Sequence, residues 1–240
     1  MHLPTKKIKI DPYERIKTDN WFCDEVLHRK RTPVKSLEVW WHCANMPGSA
    51  HIIEEQLALI NKIHLPNVHA VVLGENIIKD SKIKIEYHSN DFGLYENPTL
   101  QRLWESARND PDKGFIYFHT KGASSPFDAV KANWRKVMTE ALIMPWRANY
   151  EALNENDLIG CNWQNNCHFP GNFWMARGDW ISHLDSPEQY RAEHQYMWFA
   201  GQPWNRMHAE CWIGSRHYHA VKSLLCMYEW WESFARRGMK

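Results

Sequence analysis

The sequence predicts an α/β fold built on a mostly parallel central sheet, and three observations predict it. Short runs of β-branched and aromatic residues recur at 37–42, 68–73 and 115–119. Between them lie segments whose apolar residues fall at helical spacing. The resulting order of strand, helix, strand, strand, helix, strand is that of a sheet covered by helices.

Residues 1–36 are polar and charged and read as an N-terminal extension. A short helix is expected over 19–29, capped by Asp19 or Asn20 and ending in the basic run 28–31. The domain proper is placed at 37–215. Residues 37–42 form its first core strand, followed by a loop with Pro47-Gly48. A helix over 50–63 follows from Ile52, Ile53, Leu57, Ile60 and Ile63. Residues 68–73 are a buried strand closed by Gly74, and 82–87 alternate charge with isoleucine, as a strand near an edge does. A polar loop at 88–93 leads to a helix from Asn97-Pro98 to about residue 108.

The central strand is 115–119, ending in the polar tip His119-Thr120-Lys121-Gly122. In an open α/β sheet, ligands bind just beyond the carboxyl ends of strands, so chemistry is expected at this tip; an ordinary turn after a buried strand is the competing reading. Helices are predicted over 128–142 and 146–154, with Pro145 between them, and a strand over 157–162. A strand at 172–176, a helix at 179–184 begun by Asp179 and a helix over 188–199 follow. Residues 207–213 have no clear assignment. Residues 216–240 read as a C-terminal helical tail packed on the domain.

The 240 residues carry a formal net charge of +1, which gives no footprint for nucleic acid. No apolar run is long enough for a membrane span, and no secretory signal is visible at 1–7. The six cysteines form no Cys-x-x-Cys, so reduced thiols in a cytoplasmic compartment are expected. A zinc site from Cys161, Cys167 and His168 is conceivable at a spacing unlike the usual ligand pairs. The 14 tryptophans suit either a core or flat sugar faces.

Three stretches together carry a family resemblance. They are Tyr117-Phe118-His119-Thr120-Lys121-Gly122-Ala123-Ser124, the run 168–181 with Phe169-Pro170-Gly171-Asn172-Phe173-Trp174, and Ala209-Glu210-Cys211-Trp212-Ile213-Gly214-Ser215. In this order they resemble a family of GT-A-type glycosyltransferases from bacterial surface-polysaccharide clusters and large DNA viruses, which includes a chlorella-virus rhamnosyltransferase domain. The resemblance implies a Rossmann-like nucleotide-sugar domain that binds the donor, a UDP-sugar by expectation, in its N-terminal half and a glycan or glycolipid acceptor in its C-terminal half. One departure stands out. Where many GT-A enzymes carry a metal-binding Asp-x-Asp, this chain has His119-Thr120-Lys121, so a Mn or Mg ion is possible but lacks its usual ligands.

With that resemblance, Lys121 would meet the diphosphate, and His119 would donate a hydrogen bond or hold a metal. Thr120 belongs to the same tip. His42 and Ala44 lie where a nucleobase or ribose would rest, and Asn90 or Asp91 would read a pyrimidine edge unless they form an Asx-turn. Arg135 would fork to the diphosphate or make a surface ion pair. Glu210 is the preferred general base, with Asp179 next and Glu193 more remote; a buried pair of Glu210 with Arg206 or Arg216 is the alternative. Asp179 also suits a helix N-cap. Asn172, Trp174, Trp163 and His168 would line the sugar or acceptor site, unless the tryptophans are core. Two other classes are weighed: a non-catalytic carbohydrate- or nucleotide-binding module, and a His-rich metal hydrolase that lacks a His-Glu-x-x-His motif.

Overall fold

The computed structural model describes residues 31–164, 168–194, 198–199, 202–216 and 220–224. Its elements run β1 (Ser36–Asn45), α1 (Ala50–Ile63), β2 (Val68–Gly74), β3 (Lys84–Ser89), α2 (Asn97–Asn109), β4 (Lys113–His119), α3 (Ala129–Met138), α4 (Trp146–Ala152), β5 (Leu158–Gly160), β6 (Trp174–Arg177), α5 (Gly178–Ile181), α6 (Pro187–Glu193), β7 (Trp198–Phe199), β8 (Gln202–Pro203), α7 (Trp204–Cys211) and β9 (Val221–Ser223).

Seven strands form one sheet in the order β3-β2-β1-β4-β6-β5-β9. Strands β3, β2, β1 and β4 are parallel, β6 is antiparallel to both β4 and β5, and β9 is parallel to β5. The first four strands thus follow the 3-2-1-4 order of a doubly wound sheet. The alternation read from the sequence is present. Strand β3 is the half-exposed edge that its charge alternation predicts.

Alternate residues of the central strands bury on opposite faces. Val39, Trp41, Cys43, Ile116 and Phe118 join Ile53 and Ile60 of α1 and Val137 and Met138 of α3 on one face. Trp40, Phe115 and Tyr117 join Leu100 and Leu103 of α2, with Trp174, Trp180 and Trp212, on the other. Covering both faces is why these strands read as continuous apolar runs. Trp41, Trp174 and Trp212 are fully buried, so much of the tryptophan content is core.

Several boundaries differ from expectation. The helix expected over 128–142 is α3 followed by a π-turn, Thr139–Ile143, closed by Met144 N–H donating to Thr139 O at 2.9 Å just before Pro145. Strand β6 starts at Trp174 rather than residue 172, because Asn172 is left-handed at φ 55°. The helix expected over 188–199 stops at Glu193, and Trp198–Phe199 pairs with Gln202–Pro203 as a hairpin instead, in keeping with the strand preference of aromatic residues. Residues 207–213, unassigned from sequence, end α7 and form a 3₁₀ turn. Val221–Ser223, expected in a helical tail, is a strand paired with β5. The rest of that tail from 225 and the helix expected over 19–29 lie outside the described residues. The end of the extension is docked on the domain, since Arg31 bonds both carboxylate oxygens of Asp157 at 3.0 Å. Among the described residues, no helix is long and apolar enough to cross a membrane.

Candidate functional site

The sheet's switch point lies between β1 and β4: the chain proceeds from β1 to β2 on one side and returns to β4 on the other. In an open α/β sheet, ligands bind beyond the carboxyl ends of the strands at such a point. Thr120 joins the ends of β1 and β4. Its N–H donates to His42 O at 3.0 Å. Its hydroxyl accepts from Ala44 N–H at 2.8 Å and contacts Ala44 O at 3.2 Å. From α1, Gln56 donates to His119 O at 2.8 Å and accepts from the Trp41 indole at 2.8 Å. The chain then turns sharply at Gly122, whose φ of 94° suits a residue without Cβ.

Lys121 stands immediately before this turn. Its ammonium lies 4.3 Å from the centre of the Trp134 ring and 3.9 Å from Glu210 Oε1. Lys121 and Glu210, chosen from two separate motifs, thus meet. The Lys121 side chain is only 14% exposed and that of Glu210 18%, which strengthens their attraction relative to a surface pair. Glu210 Oε2 also accepts Gly171 N–H at 3.3 Å.

Of the two uses expected of Arg135, a diphosphate fork or an ion pair, the structure shows the ion pair. Its guanidinium is buried, bonds Glu55 at 3.1 and 2.8 Å, and donates to Lys121 O at 2.8 Å. It braces the backbone beneath Lys121 and has no fork left to offer a ligand.

A second cluster surrounds Glu96, a residue the sequence reading did not select. Glu96 Oε2 accepts from Tyr117 at 2.5 Å and from the Asn172 amide at 2.6 Å. Its Oε1 lies 3.8 Å from His119 Nδ1. Burial opposes its charge, but His119, His42 and these two donors outweigh it and hold the carboxyl below its ordinary value. His119 donates its other ring nitrogen to Gly171 O at 2.9 Å. Both ends of the Gly171 peptide region are therefore tied, one to β4 and one to α7.

Other expectations are corrected here. His42 is buried and bonds Thr99 at 2.8 Å, so it does not face a nucleobase. Burial pushes it down to about 4 and keeps it neutral. Both Ala44 backbone groups are engaged by Thr120. Asn172 and Trp174 are wholly buried and bond each other at 2.8 Å, so neither lines a sugar site. Asp179 grips buried Arg177 with two bonds of 2.9 Å. Arg177 pairs with Gly114 at the start of β4, so Asp179 lies at the opposite end of the sheet from Lys121. It does not cap α5 with its side chain. Asp91 forms the Asx-turn, accepting Gly93 N–H at 2.8 Å beyond β3, with Asn90 exposed beside it. Glu193 is exposed on α6 and bonds Gln189 at 2.8 Å. Of the two arginines weighed as partners of Glu210, Arg216 bonds Asp185 at 2.9 Å, and the Arg206 side chain lies outside the described residues. Trp163 packs against Phe169 at 4.7 Å, and His168 is buried next to it in sequence.

The donor set does not fit a divalent cation. Among the described residues, no group of three or more His, Cys, Asp or Glu side chains could hold a metal ion. At the tip itself, Thr120 is used by Ala44 and Lys121 is a cation. Burial pushes the Cys161 thiol up to about 12, the wrong direction for a zinc thiolate, and Cys167 lies outside the described residues.

Residues 41–223 match a family model described as Domain of unknown function (DUF8361). No curated protein and no solved structure matches the chain.

Proposed function

Starting from the fact that this chain belongs to the family described as Domain of unknown function (DUF8361), we propose that it is a GT-A-type glycosyltransferase acting on a nucleoside-diphosphate sugar, with UDP as the nucleotide. The observation that carries this reading is the meeting of Lys121 and Glu210 at the switch point, where one can receive a diphosphate and the other a proton. In the transfer, an acceptor hydroxyl oxygen bonds the anomeric carbon as the carbon–diphosphate bond breaks. The bonding pair leaves on the diphosphate beside Lys121, and the hydroxyl proton passes to Glu210. Positioned cationic charge where negative charge develops lowers such a barrier, and a carboxylate base adds typically ~10²–10⁴ in rate. The outcome is inversion at that carbon. The acceptor is a glycan or glycolipid hydroxyl, and the buried thiols suit a cytoplasmic, reducing setting.

A non-catalytic nucleotide- or carbohydrate-binding module is the second reading, favoured by His119-Thr120-Lys121 standing where many GT-A enzymes carry Asp-x-Asp. Thermal-shift screening of the purified chain against nucleoside diphosphates and nucleotide sugars, followed by donor-hydrolysis assays, separates the two. A glycosyltransferase is stabilised by one nucleotide sugar through mass action and slowly hydrolyses it. Binding without hydrolysis or transfer supports the module, and no stabilisation by any nucleotide refutes both nucleotide readings.

A further inference from the structure

Lys121 already has an anion. Glu210 Oε1 stands 3.9 Å from its ammonium, on a helix that comes from the far end of the chain. The Trp134 ring lies against the same ammonium at 4.3 Å. The two acidic and basic groups are mostly shielded from water, so neither is left to bulk solvent as its counter-ion.

We propose that Glu210 is a built-in occupant of the Lys121 anion site, displaced when a pyrophosphate group binds. Resting on the nucleotide-sugar reading, this makes donor binding the event that frees the carboxylate. The pyrophosphate takes over the charge of Lys121, and Glu210 loses its partner and becomes a proton acceptor for the second substrate. The exchange is local. Gly171 N–H still holds Glu210 Oε2 at 3.3 Å, so the carboxylate can let go of the lysine without leaving the site. Trp134 still lies against the lysine ammonium, and Arg135 still holds its backbone carbonyl at 2.8 Å. A free enzyme with Glu210 on Lys121 lacks an available base.

The test is calorimetric titration of inorganic pyrophosphate and of UDP into the whole chain at low ionic strength. Glu210→Gln keeps an oxygen for Gly171 N–H and removes the competing charge, so it should bind pyrophosphate on the order of tenfold tighter than the wild type. Lys121→Met should bind more weakly while keeping a side chain against Trp134. In the Lys121→Met background, Glu210→Gln should give no gain, because there is no cation left to release. Equal or weaker binding by Glu210→Gln overturns the proposal. So does a gain of the same size in the Lys121→Met background, which would mark general electrostatics rather than displacement. If neither UDP nor pyrophosphate binds the wild type or Glu210→Gln, the nucleotide-sugar reading falls as well. Circular dichroism on each variant separates misfolding from lost affinity.

Discussion

Tyr117 of the central strand donates its hydroxyl to Glu96 at 2.5 Å, tying β4 to the residue that precedes α2. Burial and the neighbouring carboxylate push the phenol well above its ordinary value, so it remains a donor. Asn172 donates to the same oxygen at 2.6 Å and to Ala209 O at 3.3 Å. One carboxylate therefore organises β4, the loop before β6 and the helix that carries Glu210.

Glu96→Ala is expected to destabilise the fold by about 2–4 kcal/mol, because two buried donors lose their acceptor at once. Glu96→Gln keeps an oxygen and should lose about half as much. Urea denaturation measures both. A loss below about 1 kcal/mol for the alanine variant would mean that water takes the vacated place.

How far the sequence foretold this arrangement depends on which forces set it. Strands β1, β2 and β4 were readable because burial on both faces demands continuous apolar runs, and α1 because its face repeats with helical period. Lys121 and Glu210 were singled out from two motifs of the resemblance, a cation after a buried strand and a carboxylate among apolar neighbours, and the structure brings the two side chains together. Glu96 was not singled out, since it sits in a turn before Asn97-Pro98, where a solvated acid is ordinary. Its enclosure comes from Tyr117 and His119 of β4 and from Asn172 before β6, partners distant in sequence. A trace existed in Tyr117 and His119, two polar residues on one face of the central strand, which require partners from whatever covers them. The diphosphate role weighed for Arg135 and the base role weighed for Asp179 failed for a related reason. Ion-pair partners from distant elements, Glu55 for the one, or from the adjacent Arg177 for the other, decide whether a charged group is free to meet a ligand. Residue type alone does not carry that information.

His42 gives the protein a pH dependence separate from that of its carboxylates. Its ordinary value of 6.5 falls to about 4 in the fold because burial disfavours the charged ring. Between those values the unfolded chain binds the proton and the folded chain does not. Stability from this residue is thus full above the unfolded value and declines on acidification towards the folded one. About 2 kcal/mol should be lost between about pH 7.5 and about pH 5. His42→Asn, whose amide reaches the position of the nitrogen that bonds Thr99, should abolish that part of the slope. Denaturation curves of both proteins at the two pH values check this, and identical slopes would exclude a buried neutral His42.

Gly171 joins backbone conformation to the proposed anion site. Its φ is 90°, a region that residues with a Cβ rarely adopt. A Cβ there would stand 2.7 Å from Met138 Sδ and 3.0 Å from the Trp134 indole nitrogen. The methionine can move, but the tryptophan ring is the one that lies against Lys121. Gly171 also accepts from His119 and donates to Glu210. Gly171→Ala should therefore cost about 2–3 kcal/mol of stability and weaken pyrophosphate binding together, since strain and displacement share one cause. Pairing it with Met138→Ala relieves the sulfur contact and leaves the backbone conformation unfavourable. The double variant should then show no recovery of binding over Gly171→Ala. Recovery to wild-type affinity would place the whole effect on the methionine contact and remove backbone strain from the account.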